Sequence, residues 1–472
     1  MTHVYTIFFL LLTSLKYQYL LEIDNETDIG RSIMTNPYNV MCFPFAANIQ
    51  ESINYISISN RAHKGRFHDP PTSSAEKDYQ EYFKQHCIPL TGTLMVHDTH
   101  LIPILDRSKP DFVGIAKDLS LDPLNVSLII EIKPYKPNQT TFSNADVGQL
   151  AFFALKIFRI QPTRTFVYGI LSDCHHIMIL KVEKVNEEII YHRTSRAVLK
   201  YNNSGWQWLV TLLQRTPEEL GWRESEISYN NNSDCIRLLK WLGHGRTAQV
   251  FEGIVLKGQH ADHRIAVKIA RNSMCKKIRE EVEILTTLKG SDGIPNVLFS
   301  NENSFVMKPL CYKIYSFNKL DLDRIINIIQ NVHAQGIVHR DLRRCNILRD
   351  RDTGTVQVMD WGYAVNINLS LPFAGGLDCA SDLVLESVRD RKEIVYQKSD
   401  DLISLLRSFY LVLHGQVDSV ALPLGNTNCQ EYASRMLDFW KIYGKSNLWK
   451  ELFELARNCD YERLKVRISE LY

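Results

Sequence analysis

Five short motifs between residues 241 and 362 constrain the fold more than any other feature of this 472-residue chain. In chain order they are WLGHGRTAQVFEG, IAVKIA, KKIREEVEILTTL, GIVHRDLRRCNIL and QVMDWG. The first two predict strands, and the spacing of apolar residues in the third predicts a helix. Chance assembly of all five motifs in this order is negligible, so we expect them to belong to one domain.

The first three motifs combine groups that suit the binding of phosphate. The turn containing Gly243 and Gly245 lets backbone N–H groups approach phosphates that larger side chains would block. Lys268 lies in the predicted strand IAVKIA, where its ammonium can hold two phosphates of a nucleotide. Glu281 on the following helix can pair with Lys268 and fix its position, although Glu280 and Glu283 are close alternatives on a solvated helix face.

Residues 236–472 resemble the eukaryotic-type protein kinase family. The resemblance rests on the sequence HRD ending at Asp341, on Asn346 five residues later, and on the sequence DWG beginning at Asp360, nineteen residues after Asp341. It implies a bilobal fold that uses ATP and Mg²⁺ to phosphorylate a protein substrate. It also implies that Asp341 accepts the proton of the substrate hydroxyl, while Asn346 and Asp360 hold Mg²⁺ between the nucleotide phosphates.

The same resemblance assigns further site residues. Those expected to surround ATP are Gly243, Gly245, Val250, Ala266, Lys268, Met307, Lys308 and Leu310. The expected catalytic residues are Asp341, Lys268, Arg343, Asn346 and Glu281. Arg343 stands where Ser/Thr kinases usually carry Lys; it keeps the charge but changes the geometry. The resemblance favours Ser/Thr over Tyr as the acceptor.

Other positions depart from the kinase pattern. Ala248 replaces a third glycine, Trp361 replaces the usual Phe, and the segment CASDLVLES (379–387) stands in place of Ala-Pro-Glu. Asp401, in SDDLISLL, fits the structural aspartate of the following helix. An inert pseudokinase is therefore the alternative to an active enzyme.

A second set of charged residues lies in the first half of the chain. Pro110-Asp111 is followed after twenty residues by Glu131-Ile132-Lys133, which ends the apolar pattern NVSLIIEIK. This pattern resembles the PD-(D/E)XK nuclease superfamily. Because side chains alternate along a strand, Glu131 and Lys133 share one face. Asp111 and Glu131 on neighbouring strands can converge on Mg²⁺, which prefers oxygen ligands, and Lys133 can orient or activate the attacking water.

The nuclease resemblance implies additional polar groups and a fold. A preceding helix would add Glu81 or Glu76, and the helix DVGQLAFF would add Gln149. The implied element order is the restriction-endonuclease-like αβββαβ arrangement, so the whole chain is predicted to be α+β and α/β. The domain would be a Mg²⁺-dependent nuclease acting on DNA, or a non-catalytic platform that binds a substrate or partner.

These motifs predict three segments: an N-terminal extension (1–45), a nuclease-like domain (46–228) and a kinase domain (229–472), with the Asn-rich stretch 227–235 as a linker. The combination resembles Crinkler-type effectors and related fungal-type kinases. Residues 1–60 lack the ubiquitin-like header with a translocation motif that such effectors carry. An intracellular location, in the cytoplasm or nucleus, is favoured, with secretion as an effector as the alternative.

The charge and the cysteine content argue against several classes of protein. Residues 1–230 carry 22 Lys and Arg against 24 Asp and Glu, and the remainder carries 33 against 29. Overall charge therefore does not favour nucleic-acid binding, although it leaves open the alternative of a local basic groove that binds nucleic acid. Ten cysteines without a CxxC pair favour reduced thiols over disulfides or zinc. The apolar segment Ile7–Leu12 is too short to span a membrane; a buried strand or helix, or a loosely attached terminus, is favoured over a signal peptide. The oligomeric state stays open.

Overall fold

The computed structural model describes residues 69–471 except 187, 202, 231–232, 259, 272–273, 415–428 and 444–445, together with the backbone of residues 40–41. The predicted N-terminal extension and its boundary at residue 46 otherwise lie outside the described residues. The chain divides into two compact units. The first unit comprises residues 1–226 and 237–241, and the second comprises residues 227–236 and 242–472. Both units mix helices with sheets, which confirms the predicted α+β class at this level.

The first unit is built on one large sheet. Its elements are β1 (Val40–Met41), α1 (Glu76–His86), β2 (Leu94–Asp98), β3 (Phe112–Ala116), β4 (Leu128–Ile132), α2 (Asn144–Ile160), β5 (Phe166–Ser172), β6 (His176–Val185), β7 (Glu188–Arg193), β8 (Ala197–Val198) and α3 (Ser204–Gln214). The strand order is β1-β7-β6-β5-β4-β3-β2, with β8 paired to β6. The β1–β7 and β4–β5 pairs are parallel and the others are antiparallel.

The sequence accounts for the position of β4 and α2 in this unit. All five residues of β4 are buried, as its mostly apolar composition predicts for a central strand, and Glu131 is the one charged residue among them. The start of α2 is a capping box, in which Ser143 and Asp146 each accept a hydrogen bond from the other's backbone amide. Helix α2 packs closely on β5, since a Cβ added at Gly169 would lie 2.8 Å from the side chain of Leu150. The elements α1 to β5 thus hold the ends of β3 and β4 in fixed positions.

The second unit begins with a six-stranded sheet and continues with helices and short strands. Its elements are β9 (Glu226–Tyr229), β10 (Asp234–His244), β11 (Ala248–Lys257), β12 (Arg264–Ala270), α4 (Cys275–Thr287), β13 (Asn296–Ser300), β14 (Ser304–Lys308), β15 (Cys311–Lys313), α5 (Lys319–Ala334), β16 (Ile337–Val338), β17 (Ile347–Asp350), β18 (Val356–Val358), β19 (Val365–Asn366), β20 (Ser370–Leu371), α6 (Asp382–Arg389), β21 (Ile394–Val395), α7 (Lys398–His414), α8 (Cys429–Ile442), α9 (Asn447–Arg457) and α10 (Tyr461–Ile468).

The sheets of this part follow the order of the chain closely. The large sheet has the order β13-β14-β12-β11-β10-β9, and β15-β17-β18 forms a three-stranded sheet. The pairs β16–β19 and β20–β21 form two small ribbons. Buried residues of α4, α5, α7, α8 and α9 contribute to one continuous hydrophobic core. The motifs around Lys268 and Asp341 therefore lie on elements that share that core.

The predicted linker at residues 227–235 includes the ends of two strands. Strand β9 ends within it at Tyr229 and lies beside β10, which starts at Asp234. Tyr229 is buried and its hydroxyl lies 2.8 Å from that of Ser304 on β14. Burial of this single tyrosine stabilises the strand even though most of the surrounding residues are polar.

Two other predictions concern local structure. The turn predicted at Asp173–Cys174 joins β5 to β6, and Cys174 adopts a left-handed conformation with φ of 62°. Among the described residues, no helix is long and apolar enough to cross a membrane.

Candidate active sites

The second unit brings Lys268 against two carboxylates. Lys268 lies on β12, paired with Val250 of β11 on one side and with Phe305 of β14 on the other, and it is buried. Its Nζ lies 2.7 Å from Glu281 of α4 and 2.6 Å from Asp360 Oδ1. The contact predicted between Lys268 and Glu281 is present. Glu280 instead pairs with Lys277 at 2.6 Å.

The electrostatics of this cluster keep Lys268 charged. Burial alone would lower the pKa of Lys268, but the carboxylates of Asp360 and Glu281 outweigh burial and raise it. Burial raises the pKa of the Glu281 carboxyl, and Lys268 opposes that rise. Burial also acts to raise the pKa of Asp360, but Lys268 prevails and lowers it. A fixed ammonium between two carboxylates can hold the anionic groups of a nucleotide.

The hairpin of β17 and β18, part of the three-stranded sheet, brings Asp360 close to Asn346 and Asp341. Ile347 of β17 pairs with Val358 of β18, and the amide of Met359 donates to the carbonyl of Asn346 at 2.8 Å. Asn346 precedes β17 and Asp360 follows β18, so both residues lie at the same end of the hairpin. The Asn346 side-chain amide donates to Asp341 Oδ2 at 2.9 Å. Three residues predicted from two motifs therefore form one polar cluster.

Asp341 is held on both carboxylate oxygens. Oδ1 accepts a hydrogen bond from the backbone amide of Gly376 at 2.7 Å and lies 3.2 Å from Arg343 Nε. Gly375 lies close to the same loop, since a Cβ added there would be 2.5 Å from the carbonyl oxygen of Arg340. Burial raises the pKa of the Asp341 carboxyl, and the cation of Arg343 opposes this. The result is an oriented carboxylate that can accept a proton.

Buried Asp401 of α7 fixes the backbone before Asp341. Its carboxylate accepts hydrogen bonds from the amides of His339 at 2.6 Å and Arg340 at 2.8 Å. Arg340 and Asp360 both adopt the left-handed conformation, with φ of 71° and 62°. Non-glycine residues rarely adopt this conformation unless the surroundings impose it, and such residues are concentrated at functional sites. The structural role predicted for Asp401 agrees with these contacts.

Trp361 stabilises the turn after Asp360. It is fully buried, its ring lies 4.5 Å from that of His339, and its Nε1 donates to the carbonyl of Val358 at 2.9 Å. The indole of Trp361 is therefore buried against apolar surface, and its N–H group has a hydrogen-bond partner.

The residues predicted to surround ATP lie on neighbouring strands. Ala266 of β12 pairs with Met307 of β14, and both are buried. Val250 lies opposite Lys268 on β11. Gly243 has a φ of 145°, and a Cβ at Gly243 or Gly245 would meet no atom within 4 Å.

The end of β14 and the residues after it supply the remaining two predicted positions. Lys308 and Pro309 are joined by a cis peptide bond, and Leu310 is buried. The Lys308 ammonium lies 2.6 Å from His263 Nδ1.

In the first unit, Asp111, Glu131 and Lys133 converge at the ends of β3 and β4. Phe112 pairs with Ile130, which places Asp111 beside Glu131. The Asp111 amide donates to Glu131 Oε2 at 3.4 Å, and Asp111 Oδ2 accepts from the amide of Ile132 at 2.7 Å. Lys133 Nζ lies 2.8 Å from Glu131 Oε1, as expected for two residues on one strand face. Both carboxylates are buried.

Helix α1 adds a residue that the sequence motifs did not indicate. Gln80 Nε2 donates to Asp111 Oδ1 at 2.7 Å. Glu76, one turn earlier, lies 3.9 Å from Lys133 Nζ, whereas Glu81 accepts a hydrogen bond from Gln85 on the exposed surface. Of the two predicted helix residues, Glu76 is therefore the one near the site. The (i, i+4) spacing places Gln80 on the same face of α1 as Glu76, and this was the sequence signal that could have indicated Gln80.

The predicted contribution of Gln149 is not present in the structure. Within residues 69–186, the hydrogen bonds to the Asp111 and Glu131 carboxylates come from Gln80, Lys133 and backbone amides, and none comes from Gln149. Gln149 is half-buried on α2. Gln80 supplies an amide in this region instead.

Burial raises the pKa of both carboxyl groups in this pair. It raises the pKa of Asp111 to about 6, and burial together with the neighbouring Asp111 charge raises the pKa of Glu131 to about 8. Lys133 has a raised pKa because the nearby carboxylates, Glu131 first, outweigh the effect of its own burial. A divalent cation would relieve the repulsion between the two carboxylates.

Both clusters offer oxygen ligands of the type that Mg²⁺ prefers. Asp111 with Glu131 supplies two carboxylates, and Asp360 with Asn346 supplies a carboxylate and an amide. Proteins commonly hold Mg²⁺ through one or two carboxylates, with water or phosphate completing the shell, so these donors fit the ion. Across the described part of the chain, three or more His, Cys, Asp or Glu residues are not grouped in a way that could hold a metal on their own.

Comparison with known families concerns the first unit only. A family described as a domain of unknown function (DUF6826) matches residues 76–164. The match runs from the start of α1 to just beyond α2. It includes Glu76, Gln80, Asp111, Glu131 and Lys133, so the whole polar cluster of the first unit lies within the matched stretch.

Proposed function

We propose that the second unit is a protein kinase, which transfers the γ-phosphoryl group of ATP to the hydroxyl of a protein substrate, Ser or Thr in preference to Tyr. The observation that carries this proposal is the position of Lys268 between Glu281 and Asp360, at 2.7 and 2.6 Å. Asp341 and Asn346 are hydrogen bonded to each other in the same region. These five side chains come from motifs spread over 93 residues, counting from Lys268 to Asp360.

The residues divide the work of phosphoryl transfer between positioning and charge neutralisation. Lys268, oriented by Glu281, would bind the nucleotide phosphates. Asn346 and Asp360 would hold Mg²⁺, which supplies charge neutralisation for the phosphates. Asp341 would accept the hydroxyl proton, since its carboxylate is oriented by Gly376 and Asn346 and burial raises its pKa. A raised pKa makes a carboxylate a stronger base.

Phosphoryl transfer to a generic protein substrate tests this proposal. The full chain is incubated with radiolabelled ATP and Mg²⁺, and labelled protein is counted. We expect Asp341→Asn and Asp360→Ala each to reduce the rate at least about 100-fold. Asp390→Asn is the matched control, because Asp390 is an exposed partner of Arg389 at the end of α6.

The inert alternative makes a different prediction. A pseudokinase would gain thermal stability from ATP and Mg²⁺ but would transfer no label above the level of Asp360→Ala. Equal labelling by the native chain, Asp341→Asn and Asp360→Ala would refute the kinase proposal.

We propose a second activity, Mg²⁺-dependent cleavage of DNA, for the first unit. The convergence of Asp111, Glu131 and Lys133 favours it, with Lys133 2.8 Å from Glu131. The element order α1-β2-β3-β4-α2-β5 agrees with the αβββαβ arrangement of the nuclease resemblance. Lys133 would orient the attacking water, while Asp111 and Glu131 would hold Mg²⁺, which supplies stabilisation of the charge that develops on the phosphate.

Nicking of supercoiled plasmid tests the second activity. We expect nicking by the full chain in Mg²⁺, none with EDTA, and none by Glu131→Gln. Glu81→Gln should cleave like the native chain, since Glu81 lies on the exposed surface of α1. Absence of nicking by the native chain would leave the polar cluster as part of a binding platform and would contradict the proposal.

A further inference from the structure

A cavity in the second unit lies outside the cluster around Asp341. Its volume is about 410 Å³, within the range of small-ligand pockets. Its lining residues come from α6, α7, α8, α9 and the residue after α8, and they are Asp382, Ile403, Arg407, Trp440, Tyr443, Lys450, Phe453, Glu454 and Arg457.

The lining carries more positive than negative charge. Arg407, Lys450 and Arg457 are cations, while Asp382 and Glu454 are carboxylates. Asp382 is already paired with Arg407, at 2.5 Å. Arg407 is almost fully buried, and burial lowers its pKa; the charge of Asp382 opposes this effect, while the nearby charge of Arg457 adds to it. An anion in the cavity would reduce the repulsion between these two cations.

The walls of the cavity supply aromatic surface. The Arg407 guanidinium lies 4.6 Å from the ring centre of Trp440. Tyr443 and Phe453 complete the aromatic surface, and Tyr443 stacks on Phe439 at 4.4 Å, which fixes its ring. On α9, Lys450, Phe453 and Arg457 recur at helical spacing, so that they project from one face. The cavity therefore presents cations beside aromatic rings.

The floor of the cavity is linked to the candidate active site. Trp440 Nε1 donates to the carbonyl of Asp378 at 3.0 Å, and Arg407 donates to the carbonyl of Ala380. Two residues before Asp378, the amide of Gly376 donates to Asp341 at 2.7 Å. Five residues of chain thus join the cavity to the carboxylate that would accept the substrate proton.

We propose that this cavity binds a small anion with an aromatic body, of the aryl phosphate or aryl carboxylate class, and that its occupancy changes the position of residues 376–380 against Asp341. The cations would bind the acidic group, and the aromatic rings would pack on the ligand ring. The effect on Asp341 rests on the proposed kinase function, whereas binding of the ligand does not.

Isothermal titration of the full chain with phenyl phosphate tests the binding step. We expect one site, and at least about tenfold weaker binding by Arg457→Gln, the loss typical of one charged hydrogen bond. Arg457 is exposed, so this variant leaves the core intact. Lys441→Gln, an equal charge change on the outer surface of α8, should bind like the native chain. Benzyl alcohol and inorganic phosphate, each carrying half of the ligand chemistry, should bind at least tenfold more weakly.

Three results would overturn the proposal: no binding of phenyl phosphate, equal binding by Arg457→Gln, or equally tight binding of inorganic phosphate. Hydrogen exchange of residues 374–382 tests the link to Asp341 without any requirement for activity. We expect phenyl phosphate to slow exchange there in the native chain but not in Arg457→Gln. Unchanged exchange in the native chain would refute the link. Failure of phosphoryl transfer alone, with binding and exchange as expected, would count against the kinase proposal only.

Discussion

Replacing Lys268 with Met tests the cluster at the centre of the second unit. Lys268 is the buried cation between Glu281 and Asp360. Met keeps much of the length and apolar volume of the side chain but removes the charge. The substitution therefore leaves two carboxylates close together without the ammonium that neutralises them.

The size of the effect follows from burial. Removing one partner of a buried ion pair costs about 3–5 kcal/mol, because the other charge stays desolvated. The side chain of Asp360 is 34% exposed, so water screens part of its charge, and we expect the lower end, about 3 kcal/mol. For a unit of this size, each kcal/mol shifts the melting temperature by about 2–4 °C, which gives a loss of roughly 6–12 °C.

The loss should depend on pH. Burial raises the pKa of Glu281, and without Lys268 only the hydrogen bond from the Trp361 backbone opposes that rise. A carboxyl with a raised pKa in the folded state favours the folded chain when it is protonated, and this contribution is lost as the pH rises through its pKa. In the native chain Lys268 lowers the pKa of Asp360, which adds stability that is present at both pH 5.5 and pH 8 and fades only below about pH 4. The effect of Glu281 therefore makes the deficit of Lys268→Met smaller at pH 5.5 than at pH 8.

Thermal unfolding of the full chain at the two pH values measures this deficit. The double variant Lys268→Met/Glu281→Gln is the control, since removing one buried charge should restore part of the stability at pH 8. An unchanged melting temperature in Lys268→Met at pH 8 would refute the reasoning. So would a deficit of equal size at both pH values.

Two further substitutions and one metal-binding measurement test other parts of the molecule. Asp401→Asn should destabilise the second unit by about 1.5–3 kcal/mol at pH 7, because hydrogen bonds to a charged acceptor are lost. Since its pKa is lowered in the fold, largely by His333 against the opposing effect of burial, this difference in thermal unfolding should shrink as the pH falls below about 4. Trp361→Phe should cost about 1–3 kcal/mol in the same assay, because the bond to Val358 and buried volume are lost; an unchanged melting point would contradict this. Mg²⁺ should stabilise the first unit more at pH 8 than at pH 6, since burial and Asp111 raise the pKa of Glu131 to about 8. EDTA or Glu131→Gln should remove that stabilisation, and an equal gain in the variant would count against a metal site.

The motifs of the two family resemblances predicted the residues of both clusters, and the structure places these residues at the ends of regular elements. Strand alternation placed Lys133 beside Glu131. Of the three neighbouring acids on α4, the structure places Glu281 against Lys268. The short interval between Asn346 and Asp360 is spanned by the hairpin of β17 and β18, which brings both residues to one end. The contacts within a strand or hairpin follow from the short sequence interval and the period of the element.

Contacts that depend on packing between distant segments were not predicted. Gln80 reaches Asp111 because α1 packs against the sheet; its (i, i+4) spacing from Glu76 gives the shared helix face but does not identify Asp111 as the neighbour. The burial of Tyr229 within the predicted linker was not predicted either, because its hydroxyl partner Ser304 lies 75 residues away. The cavity beside Arg407 is formed by four helices, and its charge and aromatic content emerge only after they assemble.

A structure of the full chain with a non-hydrolysable ATP analogue and Mn²⁺ tests the central claim most directly. We expect anomalous signal from Mn²⁺ between Asp360 and Asn346, with the nucleotide phosphates beside Lys268 and the terminal phosphate facing Asp341. Mn²⁺ and nucleotide bound elsewhere, or a chain that binds neither at saturating concentration, would contradict the account.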